Sequence, residues 1–476
     1  MGRVIIRAKN VAGGLLLLAS DFLALLLIFF ASVFIRARVI PFIFPQAPPL
    51  VRNWEYIWIF PLWTGILFLQ GGYTKRFTLW DEVKFLCEGT LFMAVTLFAI
   101  LFVGKIGPHF SRALVLTMLG ASFFLFPLSR VNAKKLIYAM GFLKRRIMII
   151  GTGEQAMQAL SLLRNEKNLG YDVVCFLNER PGSPAQIEGL RVFGFLDKAD
   201  AYIKKGGIQD VLIALPGLDG ERLAKLINRV QPHAENILYM ADIPGMPVLG
   251  AHLRHFFREK AFILEVKNNL AQPLNYMTKR LLDFVAGAVL ITVLILPLLV
   301  ISLMIRLTSR GPAIFRQVRL GKNGVPFGCY KFRTMYADAE ERLAEILDRD
   351  PEARRQWETY WKLKNDPRVT RVGRLLRKSS LDELPQLVNV LKGQMSIVGP
   401  RPYLERERDH LLQFEETILR VPPGITGLWQ TSGRSDKPFP ERLALDVWYV
   451  RNWNVWLDIV ILLKTVRAVW MGQGAG

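Results

Sequence analysis

LLDFVAGAVLITVLILPLLVISLMIRL, residues 281–307, decides how this chain is built. It is apolar for long enough to span a bilayer, which takes about 20 residues of helix. Lys279 and Arg280 stand before it and Arg306 and Arg310 close it, so cations flank both ends. Basic flanks favour the cytoplasmic side, and both are satisfied together only if both ends face it. Pro297 sits near the middle, where it removes a helix hydrogen bond and bends the axis. The expectation is a helix that enters the membrane, breaks at Leu296-Pro297 and returns to the face it came from. The alternative is an ordinary span kinked by its proline.

Toward the N-terminus lie four more apolar runs, residues 11–34, 54–70, 85–103 and 114–127, the last of them short. Arg3, Arg7 and Lys9 ahead of the first also suit a signal peptide, but no small-residue cleavage site follows. Four uncleaved transmembrane helices over residues 1–130 are expected. The basic groups Arg3/Arg7/Lys9, Lys75/Arg76 and Arg130/Lys134/Lys135 then all lie inside. Asp21 interrupts the first run; with no second membrane acid or base to partner it, a helix–helix hydrogen bond is expected there.

The whole composition agrees with a membrane setting. The chain has 476 residues, 51% of them hydrophobic, and 62 Lys+Arg against 40 Asp+Glu give a net charge of +22. Its mean hydropathy is +0.24. A chain both apolar and basic suits the anionic inner face of a membrane, and the apolar N-terminus argues against nucleic acid as a partner. The length implies two or three folded units beside any membrane part. Cys87, Cys175 and Cys329 match no zinc spacing, and the five histidines form no ligand cluster.

From Lys144 the pattern changes. Arg146-Ile-Met-Ile-Ile150 runs into Gly151-Thr152-Gly153-Glu154-Gln155-Ala156, a strand followed by G-x-G-x-x-A and a helical run to Leu163. Further apolar runs at 173–176, 211–214 and 237–239 alternate with helical stretches, so a partial Rossmann-like parallel α/β domain is expected over residues 144–262. Gly151 and Gly153 are a candidate nucleotide loop. They equally suit tight helix–strand packing, and the second strand ends in Asn178-Glu179 instead of a clean ribose-binding Asp. A regulatory or dimer-forming role for this domain stands beside ligand binding.

Past residue 310 come Arg316, Arg319 and Lys322 around glycines, then Lys331-Phe332-Arg333-Thr334-Met335. Arginine's planar fork matches phosphate oxygens, and several held in place imply an anionic ligand. Residues 354–364 read as an amphipathic helix bearing Trp357 and Trp361; its Tyr360-x-x-x-Lys364 spacing lacks the upstream loop of a dehydrogenase. Then follows Arg377-Lys378-Ser379-Ser380-Leu381-Asp382-Glu383-Leu384-Pro385-Gln386. Ser380 to Glu383 reads as a capping box, with Leu384, Leu387, Val388 and Leu391 as the apolar face of the helix it opens and Gly393 as its stop. Capping leaves the surrounding Arg374, Arg377, Lys378 and Arg401 unexplained. One carboxylate can attack phosphorus to form an acyl phosphate while its neighbour holds Mg²⁺.

These stretches, with Gly399-Pro400-Arg401-Pro402 and Pro423-Gly-Ile-Thr-Gly-Leu-Trp-Gln430, resemble the polyprenyl-phosphate hexose-1-phosphate transferases, large monotopic bacterial sugar transferases. The likeness covers residues 279 to the end. The resemblance implies a membrane protein of mixed α/β class: four N-terminal helices, the partial Rossmann-like domain, and a mainly helical catalytic domain on a re-entrant helix over residues 275–476. It implies transfer of a hexose-1-phosphate, galactose favoured and glucose next, from a UDP-hexose to undecaprenyl phosphate, with release of UMP and with Mg²⁺. Asp382 would be the nucleophile and Glu383 the metal holder, and Arg319, Lys331, Arg333, Arg377 and Arg401 would surround phosphate. It also implies the bacterial inner membrane, the cytoplasmic face, and a surface glycan such as O-antigen as the product's fate. A homodimer is plausible from the size. The family's break is usually Ser-Pro, against Leu296-Pro297 here. Trp448, Trp453, Trp456 and Trp470 suit helices at headgroup depth. Competing readings are a membrane-anchored nucleotide-sugar dehydratase, which needs a second Rossmann domain, and a non-catalytic assembly scaffold.

Overall fold

A computed structural model describes residues 2–43, 56–105, 110–178, 186–194, 196–241, 252–256, 261–265, 270, 273–352, 354–355, 363, 366–432 and 438–470. The helix expected over residues 354–364 lies largely outside that set, as does much of the end of the α/β domain expected over residues 144–262. The chain divides into two compact units, Met1–Ile243 and Pro244–Gly476.

The first unit opens with helices Gly2–Arg38, Ile59–Leu69, Leu79–Val103 and Arg112–Ala139. Thr78 and Ser111 cap the last two, their hydroxyls accepting the Asp81 and Leu114 N–H groups. Leu25, Phe29, Phe60, Trp63, Leu97 and Phe126 fill the space between them, while Leu27, Phe30, Phe92 and Phe124 are exposed outside. Exposed apolar side chains around an apolar core are what a bilayer solvates. Three of these helices, together with Leu274–Thr308 of the second unit, are long and apolar enough to cross a membrane.

Three expectations change here. The second apolar run holds only an eleven-residue helix, Ile59–Leu69, about 16 Å long and too short to span alone. It ends where Gly71 and Gly72 turn back onto Phe68 and Leu67. Its flanks are tied to the neighbouring helices: the Tyr56 hydroxyl accepts from the Ser111 N–H at 2.9 Å, and Tyr73 lies 4.9 Å under the Arg130 guanidinium. The fourth run does not stop at Pro127. Its helix continues to Ala139, and the Phe123 carbonyl that the proline leaves unbonded faces the Cys87 thiol at 3.9 Å.

That continuation gives Asp21 the expected helix–helix hydrogen bond, but with a basic partner that the sequence reading did not place in the membrane. Arg130, expected in a cytoplasmic loop, is a fully buried helix residue that pairs with Asp21 and with Glu82, the latter at 2.9 Å, and also donates to the Gly72 carbonyl. Lys134 reaches the second Glu82 oxygen at 2.8 Å. Two acids and two bases are thus closed on one another.

Next comes a six-stranded sheet in the order β3-β4-β2-β1-β5-β6, with β1 Arg145–Ile150, β2 Tyr171–Leu177, β3 Gln186–Ile187, β4 Leu190–Phe193, β5 Asp210–Ile213 and β6 Asn236–Tyr239. All pairings are parallel except the edge β3–β4. Met148, Ile150, Val211 and Ile213 face one buried cluster; Ile147, Ile149, Leu212 and Ala214 face the other. Burial on both faces is why these strands read as continuous apolar runs. Asn168, beside this sheet, donates to Glu82 at 2.6 Å, and the Tyr138 hydroxyl donates to the Asn168 carbonyl at 3.0 Å. Bundle and sheet therefore share one polar interlock.

The second unit is built on the helix Pro273–Thr308, which runs through Pro297 without interruption. The expected break is absent as a gap in the helix, because a proline removes one hydrogen bond and leaves those on either side. Both halves of this helix pack on the same domain. Near its start, Arg280 donates to the Val390 and Leu391 carbonyls at 2.7 and 3.1 Å, and Asp283 accepts from the Ser396 hydroxyl at 2.7 Å and the Ile397 N–H at 3.1 Å. Lys279 bridges Asp283 and Asp458. Near its end, Ile305 packs with Ala313, Phe332 and Leu376. Between them Val293, Leu296 and Val300 are exposed.

Around it stand the hairpins β7 His252–Phe256 with β8 Ala261–Glu265 and β9 Ile314–Leu320 with β10 Pro326–Phe332, and the parallel pair β11 Ser396–Val398 with β12 Gly424–Thr426. Helices Ala339–Arg349, Arg371–Ser379, Gln386–Leu391, Glu415–Leu419, Phe439–Asn452 and Val455–Trp470 belong to the same unit. Trp453, expected at headgroup depth, is instead core: it is buried and donates to Asp458 at 3.1 Å. Ile459, Leu463 and Val466, spaced along one face of the last helix, are exposed.

Candidate active site

The two acids stand between helices, not in the first turn of one. Thr370 caps the helix Arg371–Ser379 by accepting the Gly373 N–H at 2.8 Å. That helix ends at Ser380, whose φ of +57° reverses the chain into a 3₁₀ turn, Leu381–Glu383. Such a φ is costly for serine and persists only where the surroundings fix it. The next helix begins at Gln386. The expected capping box is therefore absent: Ser380 makes no side-chain cap, and Glu383 turns to Lys331 instead, 2.7 Å away. A cation on the adjacent strand outcompetes a backbone amide for a carboxylate. The apolar face of the short helix also shifts, with Leu387 and Val390 buried and Val388 exposed.

Lys331 comes from β10, which lies under the turn and passes Phe332 into the core. Arg377 comes from the last turn of the preceding helix, and its Nε donates to the Thr334 hydroxyl at 2.9 Å. Asp382 is half-buried between them. Burial, and then the neighbouring Glu383 charge, push its carboxyl up to about 6, with Lys331 and Arg377 pulling the other way. At neutral pH it is ionised yet poorly solvated, the condition of a reactive oxygen nucleophile.

The other expected cations divide. Arg319 on β9 donates to the Pro402 carbonyl at 3.0 Å and to Gln317 at 2.6 Å, and burial and then the Arg401 charge hold its proton affinity below the usual arginine range. Arg401 lies 3.5 Å from Glu407 and 5.8 Å over the Trp429 ring. The turn that carries it is set by two glycines at van der Waals limits: a Cβ on Gly424 would fall 2.1 Å from the Gly399 nitrogen. Arg333 points elsewhere, donating to the carbonyls of Ser309, Arg310 and Gly311 and so tying β10 to the end of the membrane helix. Arg374 and Lys378 are exposed.

Among the described residues no group of three or more His, Cys, Asp or Glu side chains stands together. Mg²⁺ does not need one, since it is held by one or two carboxylates together with substrate phosphate. The adjacent Asp382 and Glu383, whose mutual repulsion raises Asp382, fit that mode. Sequence reasoning missed Thr334, Glu407 and Asp446, which hold Arg377, Arg401 and the Arg401 backbone. A hydroxyl inside Lys-Phe-Arg-Thr and an acid six residues past Arg401 carry no local signal of that kind.

Gly151 is required by close packing, whereas a Cβ on Gly153 would meet nothing within 4 Å. Gly151 has φ +123°, and a Cβ there would fall 2.2 Å from the Ala214 carbonyl oxygen; its N–H closes on Leu177 at 2.8 Å. Gly153 is the N-cap of the helix Glu154–Asn165.

Residues 274–472 match the family described as bacterial sugar transferase, and residues 74–241 match one described as CoA-binding domain. Undecaprenyl-phosphate galactose phosphotransferase of Salmonella typhimurium is 36% identical over 85% of this chain and 84% of its own. UDP-galactose-lipid carrier transferase of Erwinia amylovora is 35% identical, over 85% and 84%. UDP-glucose:undecaprenyl-phosphate glucose-1-phosphate transferase of Escherichia coli is 33% identical, over 70% of each. With the acid pair, the flanking cations and the membrane helix in one unit, the chain belongs to the bacterial sugar transferase family, the polyprenyl-phosphate sugar-1-phosphate transferases.

Proposed function

We propose that this enzyme transfers a hexose-1-phosphate, galactose-1-phosphate first among candidates, from a UDP-sugar to undecaprenyl phosphate through an aspartyl phosphosugar on Asp382. The observation that carries this is the half-buried, ionised Asp382 set between Lys331 and Arg377 while its neighbour Glu383 is already held. An Asp382 oxygen attacks the sugar-bearing phosphorus, the bond to the bridging oxygen breaks, and UMP leaves with the electron pair. A phosphate oxygen of the lipid then attacks the same phosphorus and returns the carboxylate. Lys331, Arg319, Arg377 and Arg401 supply fixed positive charge around the transferring phosphoryl group. Mg²⁺, held by Glu383 and the donor's phosphates, would neutralise the charge on the leaving phosphate.

The bilayer setting follows from the helix Pro273–Thr308. Arg280 and Asp283 near one end and Ile305 near the other all pack on one polar domain. A domain that touches both ends of a helix supports a segment that dips into one leaflet over one that crosses. Lys75 and Arg76, in the loop at residues 71–78, favour the cytoplasmic face of the inner membrane, and the product would enter O-antigen or another surface glycan. Galactose rests on the activity named for two relatives and glucose on that named for a third.

The test is a panel of UDP-hexoses with undecaprenyl phosphate and the purified chain, following UMP and the lipid product. UMP release with UDP-galactose above UDP-glucose supports the reading. Release of UMP from neither, with Mg²⁺ present, would sink it.

A further inference from the structure

The turn that carries Arg401 rests on a buried acid that no step above uses. Asp446, on the helix Phe439–Asn452, is fully buried. Its Oδ2 accepts from the Tyr403 hydroxyl at 2.8 Å and from the Arg401 backbone N–H at 3.2 Å, whereas its Oδ1 is buried without a hydrogen-bond partner. A buried carboxylate with an unbonded oxygen is costly. What the carboxylate adds is charge, and among the groups acting on it the cation is Arg401.

The same turn is tied from its other side. Arg319 donates to the Pro402 carbonyl, the Leu320 N–H donates to the Tyr403 carbonyl at 2.8 Å, and the Gly424 N–H donates to the Pro400 carbonyl at 2.7 Å. Two of the proposed phosphate-binding cations, Arg401 and Arg319, thus depend on four residues of backbone. Asp446 grips the middle of them.

We propose that Asp446 is a positioning residue: by holding the Arg401 N–H and the Tyr403 hydroxyl it fixes the Gly399-Pro402 turn, and its charge keeps the Arg401 guanidinium aimed at the donor's phosphate. The inference rests on the reading of Arg401 as a phosphate-binding residue. Among the described residues the charged and titratable groups around Asp446 are Arg401, Tyr403, Glu407 acting through Arg401, and Tyr449 one helical turn along. Burial pushes the Asp446 carboxyl up to about 7, with its hydrogen bonds and Arg401 opposing. Its charge is therefore present above that pH and lost below it.

The experiment uses the full chain in detergent with UDP-galactose, undecaprenyl phosphate and Mg²⁺. Asp446→Asn keeps the shape and one acceptor. It is expected to raise KM for the UDP-sugar about tenfold, the size of one charge-assisted hydrogen bond, with kcat little changed. The rise in KM of the parent on acidification from about pH 8 to 6 disappears in the variant. In an Arg401→Ala background Asp446→Asn adds nothing further, because both act on one contact. An additive effect, or an unchanged KM while Arg401→Ala raises it, overturns the proposal and leaves the phosphate reading of Arg401 intact. If Arg401→Ala itself leaves KM and kcat unchanged, that reading fails and takes this one with it. Should Asp446→Asn not fold, Tyr403→Phe removes one of the two donors and leaves the carboxylate. A KM raised in the same direction then supports the role, and an unchanged KM overturns it.

Discussion

Two clusters in this chain use the same four kinds of residue to opposite ends. In the first unit Asp21 and Glu82 meet Arg130 and Lys134, all essentially buried, each acid oxygen that pairs doing so with a base. In the second Asp382 and Glu383 meet Lys331 and Arg377, but Lys331 and Glu383 remain 25% and 30% exposed and Asp382 keeps a raised proton affinity beside them. The first set is closed, so its charge does nothing except hold helices and the sheet together. The second is partly exposed, and under the proposed function its charge meets an incoming phosphate. Closure, not composition, separates a structural ion cluster from a reactive one.

Exchanging one residue in each cluster should break that contrast most visibly. Asp382→Asn should lower turnover by at least roughly 10⁴-fold, as loss of a nucleophile does. Its melting temperature in detergent should not fall, since a carboxyl raised from 3.8 to about 6 is destabilising when ionised. Residual turnover above that level, or a lower melting temperature, would put Asp382 in the structural class. Arg130→Met should do the reverse. It leaves Asp21 buried without its cation and Glu82 with Lys134 alone, and should cost about 3–5 kcal/mol, seen as a lower melting temperature or loss of monodisperse protein. Whatever folds should retain the parent's KM.

Lys331→Met releases Glu383 without removing the nucleophile, and a loss of about 10²-fold in kcat is expected with folding intact. An unchanged kcat would mean that the Lys331–Glu383 pair is only a tie between strand and turn. The smallest effect is the pH dependence. Because the folded-state pKa of Asp382 is raised, its reactive form is present above about 6 and lost below. Activity should fall through that value on acidification, whereas a profile flat to pH 5 would contradict an ionising Asp382.

The two clusters were not equally legible. Asp382 and Glu383 stand side by side in a motif, so their chemistry could be read locally. Their real setting could not: Ser380 has a left-handed backbone that propensity does not reveal, and Glu383 is drawn away from the capping box by Lys331, fifty-two positions earlier. The sheet strands were clear because both faces are buried and their apolar runs are unbroken. The membrane cluster was missed for one reason. Pro127 looked like a helix end, so Arg130 was assigned to a loop and Asp21 seemed to lack a base. Likewise Trp453 and Asp446 sit in a run whose aromatic content suggests an interface, yet both are buried, because burial depends on which elements fold over the helix and no local pattern records that.

Asp382 is proposed to carry the sugar phosphate between donor and lipid. That role is tested most directly by the intact mass of the purified protein after incubation with UDP-galactose and Mg²⁺ in the absence of undecaprenyl phosphate. The expected result is a gain of one hexose phosphate, located on the peptide containing Asp382, absent from Asp382→Asn and discharged when undecaprenyl phosphate is added. A protein that turns over with lipid present but never gains that mass without it would contradict the account.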